Sequence, residues 1–445
     1  MVQWNSVLLL IVAYSFTSSS GLMLSRFQRL LESRTTKRLF SVWNMNGFVG
    51  KSILDVETPS LILNLDKFQS SCELMDEKVG KLGLQLRPHA KCHKSHELSS
   101  IQCALPNTSG ICVAKVTEAL SIIENGDGTV SDILLTNQIV TESKIDRLIK
   151  SILNKGITIS VCCDNKSNAD VLNSRVGAMS AGKKLGVYVE VDVGQNRCGV
   201  QPGDACGKLS EHIMKNCPNL VLKGLQCYSG WNQHVKDVQT RTQRTHDVVD
   251  RVEKSLQSLL DRELFSLEQL KNDRPLCITG GGSGTWKLEG TLRFSSLDLP
   301  YSFTELQPGS YAVMDVEYGQ TEACDDGIHF EHALFVLTTV TSDANAHPKW
   351  VVVDAGDKAI HPGSASIKVH EYPDLTFRRG GDEHGILEGP EDILKQLNIG
   401  TVLKLIPGHC DPTINFYDEF IGFKEINGEE RVQKVISIDG RGPGR

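Results

Sequence analysis

Between residues 84 and 315 the chain repeats one pattern eight times: a short, nearly continuous apolar run that ends in polar or glycine residues. The runs are LQLRPHAK (84–91), GICVAK (110–115), DILLTN (132–137), ITISVCC (157–163), LGVYVEVDVG (185–194), LKGLQCYSG (222–230), LCITGGGSG (276–284) and SYAVMD (310–315). Amphipathic stretches with helical spacing fill the early gaps, at Ser95 to Ala104, Val116 to Glu124 and Glu142 to Asn154. A strand covered on both faces loses the apolar-polar alternation of a half-exposed one, so these runs point to a parallel sheet. Eight strand-helix units predict an α/β fold, a (β/α)8 barrel, with a doubly wound open sheet as the rival topology.

Beyond residue 325 the rhythm changes. ALFVLTTVTS (333–342), WVVVDAG (350–356), TVLKLIP (401–407) and RVQKVISI (431–438) follow one another without helical patterns between them, as in a C-terminal antiparallel β domain. The run Leu61 to Leu65 precedes the barrel pattern, and residues 58–66 are candidates to join that second domain. The expected division is therefore a leader over 1–50, a barrel over 51–325 and a β domain over 326–445.

The leader stands apart chemically. Val7 to Phe16 is an uncharged apolar run of ten, too short for a bilayer span, and Ser25 to Phe40 carries five basic residues against one acid. The total charge of −7 thus divides into +4 on the leader and −11 on the remainder. An apolar run feeding a basic one suits import into an organelle, a plastid or mitochondrion. Secretion and a cytoplasmic protein starting at Met45 are the alternatives. No stable membrane span is expected, and the absence of clustered Lys and Arg outside the leader argues against nucleic-acid partners. Thirteen cysteines at irregular spacing, with no C-x-x-C pair, suggest neither a disulfide framework nor a zinc ribbon.

In a barrel the chemistry gathers where strands end. The first run ends at Lys91 beside His89, His93 and Lys94; flanking positive charge and partial burial are expected to lower the pKa of this amine and make it a nucleophile, the alternative being a basic surface loop. The seventh ends in Gly280-Gly281-Gly282-Ser283-Gly284, where backbone amides can approach an anion, at the strand whose loop commonly binds phosphate in barrels. An amine and a phosphate cradle together suggest pyridoxal phosphate (PLP). Arg197 after the fifth run could bond an anionic ring oxygen, and the sixth run offers Tyr228 as a ring contact and His234 as a general base. In the second domain His409 and Asp411, two apart, would project to one side of an extended strand and chelate a divalent ion, with Cys410 facing away; an Asx turn is the alternative. Asp382-Glu383-His384-Gly385 is a second polar group that could line the same cleft.

In order along the chain, TPSLILNLD, RPHAKCHK, GICVAKVTEA, DILLTNQ, VDVGQNRCG, YSGWNQH, GGGSGTW, ELQPGSY, DEHG and GHCDPTIN resemble the D-threonine aldolase and eukaryotic-type D-serine dehydratase family, fold type III PLP enzymes related to alanine racemase. The resemblance covers nearly everything from Thr58 onward. It implies an alanine-racemase-type barrel with a C-terminal β domain, working as a homodimer on a small D-amino acid. It would make Lys91 the amine that binds the cofactor aldehyde, with Arg197 on its phenolic oxygen and Tyr228 on its ring. Gly281, Gly282 and Ser283 would hold the phosphate with Tyr311, His234 would be the base, and His409 and Asp411 the metal ligands. D-serine dehydratases carry Cys two residues after the metal His; Asp411 is the aldolase form, whose harder oxygen suits Mn²⁺ or Mg²⁺ better than Zn²⁺. One departure is Cys92, where the family more often has Thr. The expected reaction is cleavage of D-β-hydroxy-α-amino acids to glycine and an aldehyde, with D-serine dehydration and a non-catalytic PLP carrier as alternatives.

Overall fold

The computed structural model describes residues 45–179, 182–322 and 328–441. Most of the expected leader, residues 1–44, lies outside the described residues, and Met45–Phe48 forms a single 3-10 turn. No helix among the described residues is long and apolar enough to cross a membrane.

The first strand, β1 (Ser60–Asn64), precedes the barrel. The barrel strands are β2 (Gln85–Leu86), β3 (Ile111–Val113), β4 (Asp132–Gln138), β5 (Thr158–Cys163), β6 (Leu185–Glu190), β7 (Leu220–Cys227), β8 (Cys277–Gly280) and β9 (Glu305–Leu306). They pair in parallel from β3 through to β9, β9 pairs with β2, and the parallel bridges Leu86 to Thr108 and His89 to Cys112 close the ring back to the β3 side. All six residues of β6 are buried, which is why LGVYV reads as an unbroken apolar run up to Glu190. Each fully buried aliphatic side chain contributes about 1.5–3 kcal/mol. The helices between strands follow the sequence pattern closely, at His96–Cys103, Val116–Asn125 and Glu142–Lys155.

One barrel strand differs from the sequence reading. SYAVMD contains no strand: Ser310–Ala312 is a 3-10 turn, and the eighth strand is the two-residue β9 upstream. Burial explains both halves of the error. Tyr311, Ala312 and Val313 are fully buried, and an apolar run reports burial without fixing conformation. Glu305, conversely, faces a buried ion-pair network, lying 2.9 Å from Arg87 Nε while Arg87 Nη1 reaches Asp132 at 2.6 Å. A charged residue in a two-residue strand leaves no apolar signature.

The second sheet has nine strands. After β1 it contains β10 (Leu334–Ser342), β11 (Trp350–Val353), β12 (Lys368–Val369), β13 (Thr376–Arg379), β14 (Gly385–Glu388), β15 (Val402–Ile406), β16 (Glu419–Ile426) and β17 (Glu429–Ser437). Its order is β11-β14-β13-β12-β15-β10-β1-β16-β17, and a further β10–β11 pairing closes six of these strands into an antiparallel barrel. Strand β1 lies antiparallel to β10 and parallel to β16. It runs directly into the helix Leu65–Lys81, whose first turn is capped by Asn64 accepting the Lys67 N–H at 3.0 Å.

The two parts meet where the chain leaves the first barrel. The Val316 and Glu317 N–H groups donate to the carbonyls of Pro407 and Gly408, just beyond β15, at 3.1 and 3.2 Å. Gly408 is required there, because a Cβ would stand 1.6 Å from the Pro362 carbonyl oxygen. This junction holds the residues described next.

Candidate active site

Lys91 follows β2 in the 3-10 turn Ala90–Cys92, capped by His89, whose Nδ1 accepts the Lys91 N–H at 3.3 Å and whose Nε2 lies 3.0 Å from Thr136 Oγ1. Burial, reinforced by the Lys91 charge, pushes His89 down to about 3, so it stays neutral. Lys91 opens into a cavity of about 220 Å³ at the C-terminal mouth of the barrel, lined also by Glu190, Arg197, Tyr228 and Gln307. The structure therefore brings Lys91, Arg197 and Tyr228 together from the ends of three strands. Cys92 turns away and donates its thiol to the Gly309 carbonyl at 3.2 Å, a bond that a threonine hydroxyl in the same place would also make.

The electrostatics of Lys91 differ from the sequence expectation. Its Nζ lies 3.3 Å from Asp411 Oδ2, and that carboxylate outweighs burial and raises the amine above its ordinary value. The lysines and histidines that flank Lys91 in sequence do not set its charge state; a residue 320 positions away does.

The glycine loop follows β8. Gly281 has φ +71°, and Gly284 packs so closely on Gln233 that a Cβ would sit 2.1 Å from the Gln233 carbonyl oxygen. Gln233 clamps the loop, accepting the Gly284 N–H at 3.0 Å through Oε1 and donating from Nε2 to Thr285 Oγ1 at 2.8 Å. Thr285 in turn donates to Glu289 Oε2 at 2.7 Å, and Ser229 donates to the other oxygen at 3.2 Å. Burial pushes the Glu289 carboxyl up to about 8, so it stays protonated beneath the glycine loop. Ser283 Oγ accepts the Tyr311 N–H at 3.0 Å, and both residues border a second cavity of about 220 Å³. The Tyr311 phenol is buried and accepts from Gln102 Nε2 at 3.1 Å, so Tyr311 supports the loop through its backbone.

His409 and Asp411 do not lie on a strand. His409 caps the short helix Cys410–Ile414, and Asp411 occupies that helix's first turn. The strand β15 ends three residues earlier, because the chain must turn sharply at Gly408 to meet the barrel exit. The expected two-apart projection along a strand is thus replaced by a cap and a first turn. Cys410 points away, as the sequence reading had it, donating its thiol to the Met314 carbonyl at 3.1 Å.

Sequence reading missed the carboxylates that hold this corner. Asp315 is fully buried; its Oδ2 accepts from His409 Nδ1 and from the Cys410 N–H, each at 3.0 Å. Glu317 Oε2 lies 3.6 Å from His409 Nδ1 and 3.7 Å from His234 Nδ1, while Oε1 accepts from Ser364 Oγ at 2.5 Å. The one available signal was position: both follow directly on the buried run that leaves the barrel. The His234 and His409 rings lie 5.9 Å apart and edge to face. Burial lowers the His234 pKa despite Glu317, whereas for His409 the opposing burial is overcome by Asp315, Asp411 and Glu317, and its pKa rises. Asp382, Glu383 and His384 form the exposed turn between β13 and β14, where Lys358 reaches Glu383 at 2.7 Å and Asp382 at 3.3 Å.

Two observations fit the groups these residues would hold. With Nδ1 occupied by Asp315, His409 presents Nε2, the arrangement of a metal-binding histidine oriented by a carboxylate. Asp411 Oδ1 is buried with no hydrogen-bond partner, an oxygen that a cation would satisfy. A lysine amine at a barrel mouth and a clamped glycine loop after another strand of the same barrel fit the aldehyde and phosphate of PLP.

Fold and site together define a two-domain barrel lyase of the PLP-dependent, alanine-racemase-like class. Residues 63–268 match the family model "Alanine racemase, N-terminal domain", and residues 333–423 match "Putative serine dehydratase domain". The chain is 33% identical over 394 residues to the 3-hydroxy-D-aspartate aldolase of Paracoccus denitrificans (strain Pd 1222), covering 88% of this chain and 93% of that protein. It is also 33% identical over 393 residues to the D-threonine aldolase of Arthrobacter sp, covering 88% and 95%. The crystal structure of D-threonine aldolase from Filomicrobium marinum superposes with a TM-score of 0.79 at 32% identity, covering 89% of this chain and 99% of that one. The chain belongs to the D-threonine aldolase and 3-hydroxy-D-aspartate aldolase family of PLP-dependent lyases.

Proposed function

We propose that this chain cleaves the Cα–Cβ bond of D-β-hydroxy-α-amino acids, giving glycine and an aldehyde, with Mn²⁺ or Mg²⁺ at His409 and Asp411. The observation that carries the reading is the placement of His234 beside His409, both facing Glu317, with Asp411 joining that corner to Lys91. When bound, the cofactor supplies an electron sink and the cation a Lewis acid for the β-hydroxyl. Lys91 and the loop Gly281-Gly282-Ser283 would hold the aldehyde and phosphate of the cofactor, and Arg197 and Tyr228 would contact its ring. His234, held neutral by burial and with Nδ1 toward Glu317, takes the β-hydroxyl proton at Nε2, and the carbonyl of the aldehyde forms as the Cα–Cβ bond breaks. The oxygen donor of Asp411, where a dehydratase carries sulfur, favours the harder cation.

The test is a product assay on D-threonine, D-3-hydroxyaspartate and D-serine with and without Mn²⁺. Glycine and aldehyde, dependent on the cation, are expected; pyruvate or another keto acid with ammonia would reassign the site to dehydration. A homodimer is part of the same proposal, supported by the family resemblance and checked by light scattering. Organelle import by the basic leader is supported by its composition and checked by the destination of residues 1–50 fused to a fluorescent reporter.

A further inference from the structure

On the outer face of the barrel, on helices that carry none of the residues assigned above, three different donors converge. Asp170 comes from the helix Lys166–Met179, which connects β5 to β6; His212 comes from the helix Asp204–Asn216, which connects β6 to β7; Cys217 caps that second helix. His212 Nε2 lies 2.6 Å from Asp170 Oδ1, and Cys217 Sγ lies 3.9 Å from the same oxygen. One ligand atom from each of the three falls within 4.8 Å of the others. Cys217 is buried while Asp170 is exposed, so the group runs from the helix packing out to solvent.

A hydrogen-bonded clamp between neighbouring helices accounts for the His212 and Asp170 contact alone. Two features go further. The sulfur is turned inward onto the same carboxylate oxygen, although a thiol gains little from so long a hydrogen bond. The second ring nitrogen, His212 Nδ1, lies 3.1 Å from Asn216 Nδ2, a contact that fixes the ring with Nε2 facing the cluster.

We propose that Asp170, His212 and Cys217 form a second metal site, for Zn²⁺, which pins together the two helices flanking β6. Thiolate, imidazole and one carboxylate are a three-ligand set that tetrahedral zinc completes with water. Binding would release the Cys217 thiol proton to solvent and shift the proton of neutral His212 from Nε2 to Nδ1, with the Asn216 amide, whose Nδ2 faces Nδ1 in this structure, turning over to accept it through Oδ1. The set is softer than His409 with Asp411, so the two sites sort cations by ligand chemistry: sulfur selects zinc at the helices, and oxygen accepts manganese or magnesium at the barrel mouth.

The test uses full-length, PLP-loaded protein carrying His409→Ala, which disables the catalytic donors, stripped with chelator and dialysed against ZnCl₂. One zinc per chain is expected, with one sulfur scatterer at about 2.3 Å in zinc-edge X-ray absorption. Adding Cys217→Ser should remove both the zinc and the sulfur signal, and Cys217→Ser in the otherwise native chain should leave Mn²⁺-supported turnover unchanged. Should the serine variant fold poorly, Asp170→Asn, at an exposed position, reads the same loss of zinc with the PLP spectrum as the check on folding. Zinc content that is unaffected by these substitutions, zinc bound without sulfur, or no zinc at all in the His409→Ala protein would each overturn the proposal.

Discussion

The two halves of the active site are built by different means. At the barrel mouth, Lys91, Arg197, Tyr228 and the glycine loop each follow a strand of the same parallel ring, so the repeat that forms the fold also delivers them to one end. At the second-domain corner, His409 and Asp411 depend on an irregular junction, in which residues 315–317 bond to the end of β15 and Asp315 orients the histidine. The barrel-mouth half thus rests on the repeat itself, whereas the second-domain corner, where the proposed metal would sit, rests on a few buried carboxylates. The halves are bridged by the 3.3 Å contact of Lys91 with Asp411 and by His234 facing Glu317 and His409.

Removing the amine tests the cofactor half most severely. Lys91→Ala should lower turnover by about a thousandfold or more and abolish the visible absorbance of bound PLP, with the circular dichroism of the fold preserved. Retained absorbance would place the cofactor attachment elsewhere. In the metal half, Asp315→Ala leaves His409 without its orienting carboxylate and should weaken cation affinity by about 10- to 100-fold. Activity titrated with Mn²⁺ should then recover toward the parental maximum at high metal. Loss of the maximum with no change in the half-saturating concentration would make Asp315 a folding residue instead.

The smallest expected effect concerns the support beneath the glycine loop. The folded-state pKa of Glu289, near 8, lies above its ordinary value of 4.5, so the fold favours the protonated carboxyl. Below pH 4.5 this group costs the fold nothing through its titration; the cost grows as pH rises from 4.5 to 8, while the unfolded chain is ionised and the folded one is not. Glu289→Gln, which cannot ionise, should therefore raise the melting temperature relative to the parent near pH 8 and leave the difference small near pH 4. A gain that is the same at both values would show that Glu289 is not protonated in the folded chain.

Legibility in the sequence follows the same divide. Seven of the eight barrel strands announce themselves as apolar runs, because a strand covered on both faces must be apolar. The eighth was misplaced because β9 is two residues long and contributes Glu305 to an internal ion-pair network. In the second domain the long strands β10, β15 and β17 were visible, while β12, β13 and β14 are two to four residues long and partly exposed, below the length at which alternation is readable. Among the site residues, those at strand ends could be picked out by position. Position marks Asp315 and Glu317 only as the exit from the barrel and gives no signal for Gln233 and Glu289, since buried polar residues acquire meaning only from the partner that satisfies them.

By itself the sequence determined the strand rhythm and the order of a parallel barrel followed by an antiparallel β domain, because local periodicity is carried by neighbours along the chain. Tertiary structure alone decided the charge state of Lys91, the support of the glycine loop and the orientation of His409. Each depends on the distance to a group far away in sequence, and electrostatic energy is set by separation in space and by burial.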